Sequence, residues 1–437
     1  MATSNLTSEL PPLPAYTLRP LPPLISGLAD CYVQMALPVI GYWTVSLIFH
    51  VIDVYDLFPK QRLHTPAEVL KRNHVSRWEV FRDVVVQQLV QTAVMLCMAY
   101  LDEVPMHGKA DYDVAWYAQK LRLAQRAIPY LLATVGLDSS ALAASMSASQ
   151  PMFAGAVSGG RYPGLLQQAT IEGEQTLVPA FAPWELAVAR VLYYYAIPAV
   201  QFFLGFIVLD IWEYFWHRAM HMNKWLYVNI HSRHHRLYVP YAYGSLYNHP
   251  VEGFILDTLG TGVGYLILGM TMRQSFFYFT FCTIKTVDDH SGYHFAWDPL
   301  QFIFPNNAAY HDIHHQSWGI KTNFSQPFFT FWDRVGGTMY MGDVAERYER
   351  ARRTAQQKLE QEQDNNTVAE SAKNTMASVP ELDATARSQP ISAPRSSRKK
   401  ASSISQSSAG NLKGLTNKVN ESLHGRRASV LGMDSSH

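Results

Sequence analysis

The chain has 437 residues, 16% of them charged, and a formal net charge of +1. That length allows one large domain with extensions, and the near-neutral balance excludes a general attraction to nucleic acid. Its mean hydropathy of −0.08 averages a polar C-terminal stretch with apolar runs upstream. Its three cysteines, Cys31, Cys97 and Cys282, form neither a disulfide framework nor a zinc–thiolate motif.

Residues 1–30 are Pro-rich and show no basic region followed by an apolar core, so membrane insertion is expected to use uncleaved internal segments. About 18 apolar residues nominate a spanning helix. Residues 31–101 hold two such runs, 35–52 and the Gln-interrupted 84–100. The loop between them carries Lys60, Arg62, Lys71, Arg72, Arg77 and Arg82, and the positive-inside rule assigns it to the cytosol. Residues 102–180 read as a polar lumenal insertion, with an amphipathic helix over 113–127 and a Gly/Ser/Ala-rich loop over 139–160. Residues 181–345 contain the strongest apolar run, 187–209, and two shorter ones, 253–270 and 275–287, read as a membrane hairpin turning near Arg273. Residues 346–437 read as a charged, solvated helix to Gln363 and a disordered Ser/Asn/Lys-rich tail from Asp364. The tail holds basic Ser-containing motifs at 398–402 and 426–429 of the kind basophilic kinases use. A sequon at Asn5 sits on the expected lumenal side, but Asn323, Asn365 and Asn420 lie in sequons on the expected cytosolic side.

Eleven of the seventeen histidines fall between His217 and His315. They run His217-x3-His221, His231-x2-His234-His235, a lone His249, His290-x3-His294 and His311-x2-His314-His315. Imidazole is the commonest metal-ligand side chain, and spacings of three and four share a helix face. One such pair alone is more often a solvated helix face. Four boxes beside apolar spans, all on the cytosolic side of the expected topology, point to one metal centre. The ten box imidazoles suffice for two metals with open positions for water and oxygen. At 100° per residue, Asp210 and Glu213 share an arc of about 80° with His217 and His221, and Asp289 precedes His290. These carboxylates read as ligands or as partners that orient the rings. His249 reads equally as a ligand or as a hydrogen-bonded turn residue. His50, His64, His74, His107, His424 and His437 read as structural or surface residues.

All-imidazole sites suit iron, copper, nickel or zinc. Zinc hydrolases use a His-Glu-x-x-His base, which His217-Arg218-Ala219-Met220-His221 lacks. Soluble di-iron bundles use Glu-x-x-His motifs, also lacking here. A di-iron oxygenase fits best. The expected fold is an all-α integral membrane protein. Four or five apolar helices are capped by a cytosolic helical polyhistidine di-metal domain, with a disordered C-terminal tail and no catalytic residue beyond the metal centre.

The stretch His231-Ser-Arg-His-His-Arg-Leu-Tyr-Val-Pro-Tyr-Ala-Tyr-Gly-Ser-Leu-Tyr-Asn-His-Pro-Val-Glu-Gly-Phe254 carries a resemblance, as do His217-Arg-Ala-Met-His-Met-Asn-Lys-Trp-Leu-Tyr227 and Asn307-Ala-Ala-Tyr-His-Asp-Ile-His-His315. The pattern resembles the fatty acid hydroxylase superfamily of membrane di-iron oxygenases, and within it the fungal sphinganine C4-hydroxylases. The resemblance is specific over about 184–341, looser over the first two spans, and absent from 101–178 and the tail. Sterol C-4 methyl oxidases and C-5 desaturases share the boxes and the His-Pro, with connectors that differ from Arg236-Leu-Tyr-Val-Pro-Tyr-Ala-Tyr-Gly244. They remain the alternative.

The resemblance implies a multi-pass enzyme of the endoplasmic reticulum membrane with its site facing the cytosol. It would hydroxylate C-4 of sphinganine or dihydroceramide to phytosphingosine or phytoceramide. It implies two iron ions, for which zinc can substitute in purified protein. It also implies O2, and electrons from NAD(P)H through cytochrome b5 and its reductase as partners. The lipid tail is expected among the spans, between the third helix and the hairpin. Tyr238, Tyr243 and Asn248 are expected to bind the polar head, although interfacial anchoring explains the tyrosines equally well.

Overall fold

The computed structural model describes residues 10–171 and 174–377. The Asn5 and Asn420 sequons, both kinase-like motifs and most of the tail expected to be disordered lie outside them. The chain divides into two units, Met1–Val368 and Ala369–His437, the second described only as the end of one helix. The described residues are mostly helical.

Local signals explain where the helices begin. Helix α1 spans Asp30–Val54. Helix α2 (Pro66–Arg72) opens on a Thr65/Glu68 capping box with Pro66 in its first turn, and α3 (Arg77–Leu101) on a Ser76/Glu79 box. Helix α4 runs over Pro183–Met222. Within it, the N–H of Ile197 reaches back five residues to Leu192 O. This widened turn immediately precedes Pro198, whose ring removes one bond from the ordinary ladder. Helices α1, α3 and α4 are each long and apolar enough to cross a membrane, and the chain is a membrane protein. The fourth and fifth apolar elements are the shorter arms of a hairpin. They are α5 (residues 250–267, itself interrupted by a widened turn at Phe254–Leu259) and α6 (Met272–Asp289). Two further helices are the short α7, Ala308–His315, and the long charged α8, Val344–Ala377.

The spans pack through polar links as well as apolar contact. Gln34 of α1 donates to Ser275 Oγ of α6 at 2.6 Å, and Tyr42 donates to Tyr243 O at 2.7 Å. Tyr278 of α6 donates to Gly205 O of α4 at 2.9 Å. A Cβ at Gly205 would lie 2.8 Å from Met270 Cε and 2.9 Å from Tyr278 Cε2, so this close approach needs glycine. Phe206, Phe281, Phe304 and Phe328 close the gap between α4 and α6, with the Phe206 and Phe328 ring centres 4.2 Å apart.

Two expectations need correction. The 139–160 stretch is not a loop but contains helices Ser139–Met146 and Pro151–Val157. Asp138 accepts from the N–H of Ser140 and Ala141, and Pro151 sits in the first turn of its helix, so caps outweigh the small-residue composition. The helices Ala110–Thr134 and Ser139–Met146 are together apolar enough for a span, but they are bent by 112°. Also, α8 does not stop near Gln363. It continues to Ala377, with Thr367 bonding back to Gln363 O at 3.1 Å. A segment too polar to build a core can still extend a helix that is already nucleated.

The insertion is tied to α4 by a buried ion pair. Arg122 donates from Nε and Nη2 to the two carboxylate oxygens of Glu185 at 2.6 and 2.5 Å. Gln125 Nε2 and the Ala182 N–H complete the carboxylate's partners. Removing one member of such a pair leaves the other charged and buried. Arg122→Ala is therefore expected to cost about 3–5 kcal/mol, seen as a lower thermal midpoint in detergent. Arg353→Ala, which breaks the exposed Arg353–Glu349 pair, is expected to leave that midpoint unchanged.

Candidate metal centre

The histidines come from four places. His217 and His221 occupy the last turns of α4. Asn223 then caps a short helix, Lys224–Asn229, which turns the chain into a 3-10 helix, His231–Arg236. His290 is the C-terminal cap of α6. His311, His314 and His315 lie on α7, which starts where Asn307 accepts from the Tyr310 N–H at 3.1 Å. Nine rings gather into two buried groups: His217, His221, His231, His235 and His314, and beside them His234, His290, His311 and His315. Within each group the candidate ligand atoms lie within 4.8 Å of one another. The 3-10 helix and α7 each feed both groups. Adjacent residues point apart around a helix, so His234 and His235 part company, as do His314 and His315.

The backbone fixes the tautomers. The Nδ1–H of His217 donates to Phe324 O at 2.9 Å, and that of His290 to Thr286 O at 2.8 Å. His314 and His315 donate likewise to Thr322 O at 2.7 Å and Leu237 O at 2.9 Å, and His234 to Tyr247 O at 3.2 Å. His231 Nδ1 meets Glu252 Oε1 at 2.6 Å. With Nδ1 committed in these six rings, their Nε2 atoms carry the lone pair. Yet Nε2 atoms face one another at 2.7 Å (His221–His231), 3.1 Å (His217–His231) and 3.0 Å (His290–His311, His311–His315). His314 Nε2 is buried with no hydrogen-bond partner. In the His217–His231 pair both Nδ1 atoms are committed, so two lone pairs face each other and call for a cation between them. Ligands about 2.1 Å from a metal lie about 3.0 Å apart at right angles and about 3.4 Å apart in a tetrahedron. The observed separations are of the size expected for donors sharing a metal. Burial first, and neighbouring imidazoles second, push His231, His235, His311, His314 and His315 well below the ordinary imidazole value. Burial brings His234 to about 4 and His290 to about 3. Neutral rings are what a metal requires.

Other site expectations are placed differently. His294 lies outside both groups with an exposed side chain. Helix α6 ends at Asp289, and the left-handed Gly292 (φ 77°) swings the chain away, so the four-residue spacing no longer describes a helix face. His249 is no candidate ligand. Its Nδ1 accepts from the Val251 N–H at 3.2 Å and caps α5. Asp210 accepts from the N–H groups of Phe328 and Phe329 at 3.1 and 2.6 Å, and Asp289 pairs with Lys285. The carboxylate that touches a ring is Glu252, which sequence reasoning missed. Its signal was its place in the first turn after His249-Pro250. Tyr243 packs edge-on against His50, and Tyr238 against His74. None of the three head-binding residues expected lines the cavity; Asn248 donates to Asp257, which does, at 3.3 Å.

That cavity lies among α1, α3, α4 and the hairpin, so two further spans join the walls expected. Glu213 and Thr286, each one helical turn before a grouped histidine, line it with Gln88 and Asp257, and Met98, Leu266 and Phe279 belong to its apolar lining.

A second buried network holds α7 in place. His64, whose Nε2 lies 2.9 Å from both Asp312 oxygens, meets Glu68 through Nδ1 at 3.0 Å. Tyr348 of α8 donates to Asp312, and Gln316 bridges Asp312 and Tyr238 O. Burial opposes the His64 charge, but Asp312 and Glu68 outweigh it and raise the ring to about 9. Burial likewise opposes the Glu68 charge, and His64, Thr65 and Arg72 carry it down to about 2. A raised imidazole stabilises fully below its unfolded value near 6.5 and loses that contribution as pH rises through 9. The Glu68 contribution is lost only as pH falls from about 4.5 toward 2. The gap in melting temperature between the wild type and His64→Asn is therefore expected to be widest at pH 5–6.5 and to shrink steadily up to pH 9.

Residues 202–338, which include both histidine groups, match the family described as Fatty acid hydroxylase. The chain is 42% identical over 330 residues to the sphingolipid C4-hydroxylase of Saccharomyces cerevisiae, covering 75% of this chain and 77% of that protein. It is 40% identical over 316 residues to the sphingolipid C4-hydroxylase of Schizosaccharomyces pombe, covering 72% and 89%. It is 61% identical over 140 residues to sphinganine C4-monooxygenase 1 of Arabidopsis thaliana, covering 32% and 54%. No solved structure matches the chain.

Proposed function

Because this chain belongs to the fatty acid hydroxylase family, we propose that it hydroxylates C-4 of sphinganine or dihydroceramide, giving phytosphingosine or phytoceramide. The observation that carries this reading is the paired histidine site one helical turn beyond residues, Glu213 and Thr286, that line a mainly apolar cavity between spans. His217, His221, His231, His235 and His314 would hold one iron, and His234, His290, His311 and His315 the other. Bound there, the metals supply the O2-dependent oxidation that no side chain performs on an unactivated methylene. Zinc has no redox chemistry and would occupy the site without turnover. One oxygen atom would enter the C–H bond and the other would leave as water, taking up two protons and two electrons, the electrons delivered from NAD(P)H through cytochrome b5 and its reductase. The basic loop at 58–82 supports a cytosolic site in the endoplasmic reticulum membrane, where such donors reside.

The protein's own share is positional. Carbonyls of Phe324, Tyr247, Thr286, Thr322 and Leu237 hold the rings in one tautomer, so the site needs little rearrangement when loaded. The cavity walls keep water from the chain and set which carbon reaches the histidines. The test is expression in cells lacking C-4 hydroxylation, supplied with sphinganine or with a 4-methyl sterol. The expected product is a sphingoid base one oxygen heavier, with the hydroxyl on C-4. An oxidised sterol without any hydroxylated base would overturn the reading.

A further inference from the structure

Resting on that reading, we propose that Glu213 and Asp257 form a cation subsite for the ammonium of the free sphingoid base. They would make the unacylated amine, not the ceramide amide, the preferred substrate. Both carboxylates line the cavity, and no Lys, Arg or His lines it with them. Glu213 is 7% exposed and has no hydrogen-bond or ion-pair partner among the described residues. Its charged neighbours are Asp257, Asp210 and Asp289, all acidic. Asp210 is satisfied by two backbone N–H groups and Asp289 by Lys285. Lys285 is itself held between Asp289 and Asn306 O. Asp257 has one neutral donor, Asn248. A buried carboxylate facing a cavity without a counter-charge is costly unless a cationic ligand supplies it.

The position fits the reaction. Glu213 sits one helical turn before His217, and Thr286, which shares the same end of the cavity, is the residue whose carbonyl holds His290. The amine of a sphingoid base is borne on C-2, two carbons from the C-4 that would be oxidised. An ammonium seated at this end keeps C-4 beside the histidines and leaves the tail to run along Met98, Leu266 and Phe279. Asp102 lines the opposite end but is exposed to solvent. An N-acyl amide has no charge for Glu213 and Asp257, and its second chain must share the same space.

The experiment compares sphinganine with N-acetylsphinganine on the full-length, metal-loaded protein in lipid nanodiscs. It uses the wild type, Glu213→Gln, Asp257→Asn and Glu213→Asp, and bound metal is measured for each. The ratio of kcat/KM for base over N-acetyl analogue is expected to exceed one in the wild type. It should fall about tenfold in Glu213→Gln, mainly through KM for the base, because a charge-assisted hydrogen bond is replaced by a neutral one. Asp257→Asn should lower it in the same direction, and Glu213→Asp should restore part of it. Stabilisation of the protein by sphinganine, read as a thermal shift without turnover, should decline in the same order. A wild type that favours the N-acetyl analogue, or a ratio unmoved in both neutral variants with metal retained, overturns the subsite. A wild type that hydroxylates neither compound overturns the proposed function instead.

Discussion

His234→Ala and His314→Ala, made separately, are each expected to reduce C-4 hydroxylation by at least a hundredfold. The bound metal should fall below two ions per chain in either variant. The two residues belong to different groups, so a mechanism needing only one metal would spare one variant. Neighbouring rings cannot replace the lost ligand. The remaining Nδ1 atoms of His217, His290 and His315 are committed to backbone carbonyls, which prevents the rings from flipping toward the gap. Loss of a partner that merely orients a ligand already costs about 10–100-fold, and loss of the ligand itself costs more. Product mass spectrometry and metal analysis on the same preparation decide the matter. Wild-type turnover in either variant would end the paired-site assignment.

Glu252→Ala carries the second large effect, a loss of about 10–100-fold in metal retention and activity together. Glu252 is 1% exposed, and one of its oxygens lies 2.6 Å from His231 Nδ1 while the other has no partner. His231 in turn faces His217, His221 and His235 through Nε2, so a ring free to rotate would disturb the whole first group. Glu252→Gln keeps an acceptor for the Nδ1–H and is expected to retain most of the metal with a smaller loss of rate. Equal losses in the two variants would assign Glu252 to packing rather than to ring orientation.

The periodic part of this protein was legible in its sequence. Apolar runs marked the three long spans, and box spacing marked ten rings, nine of which converge. His294 was misplaced because spacing assumes a continuing helix, and Gly292 ends that assumption. Asp210 looked like a partner of the rings because it shares a helical arc with His217 and His221, and Asp289 because it directly precedes His290. Tertiary packing instead gave Asp210 to the Phe328–Phe329 backbone and Asp289 to Lys285. Glu252 and the His64–Asp312 link were invisible for the opposite reason. Each joins residues far apart in the chain, by 21 and 248 positions, and no local pattern records such a pairing. The helices at 139–157 were hidden by composition, since small residues suit loops and short capped helices alike.

The 3-10 helix His231–Arg236 and helix α7 each send side chains into both histidine groups. Filling one position therefore stiffens the very backbone on which the other is built. On the proposed two-metal reading the ions would be thermodynamically linked, each raising the affinity for its neighbour by the same factor. Titration of the stripped protein should pass from empty to doubly loaded with few singly loaded molecules in between. A chelator strong enough to take one ion should release both.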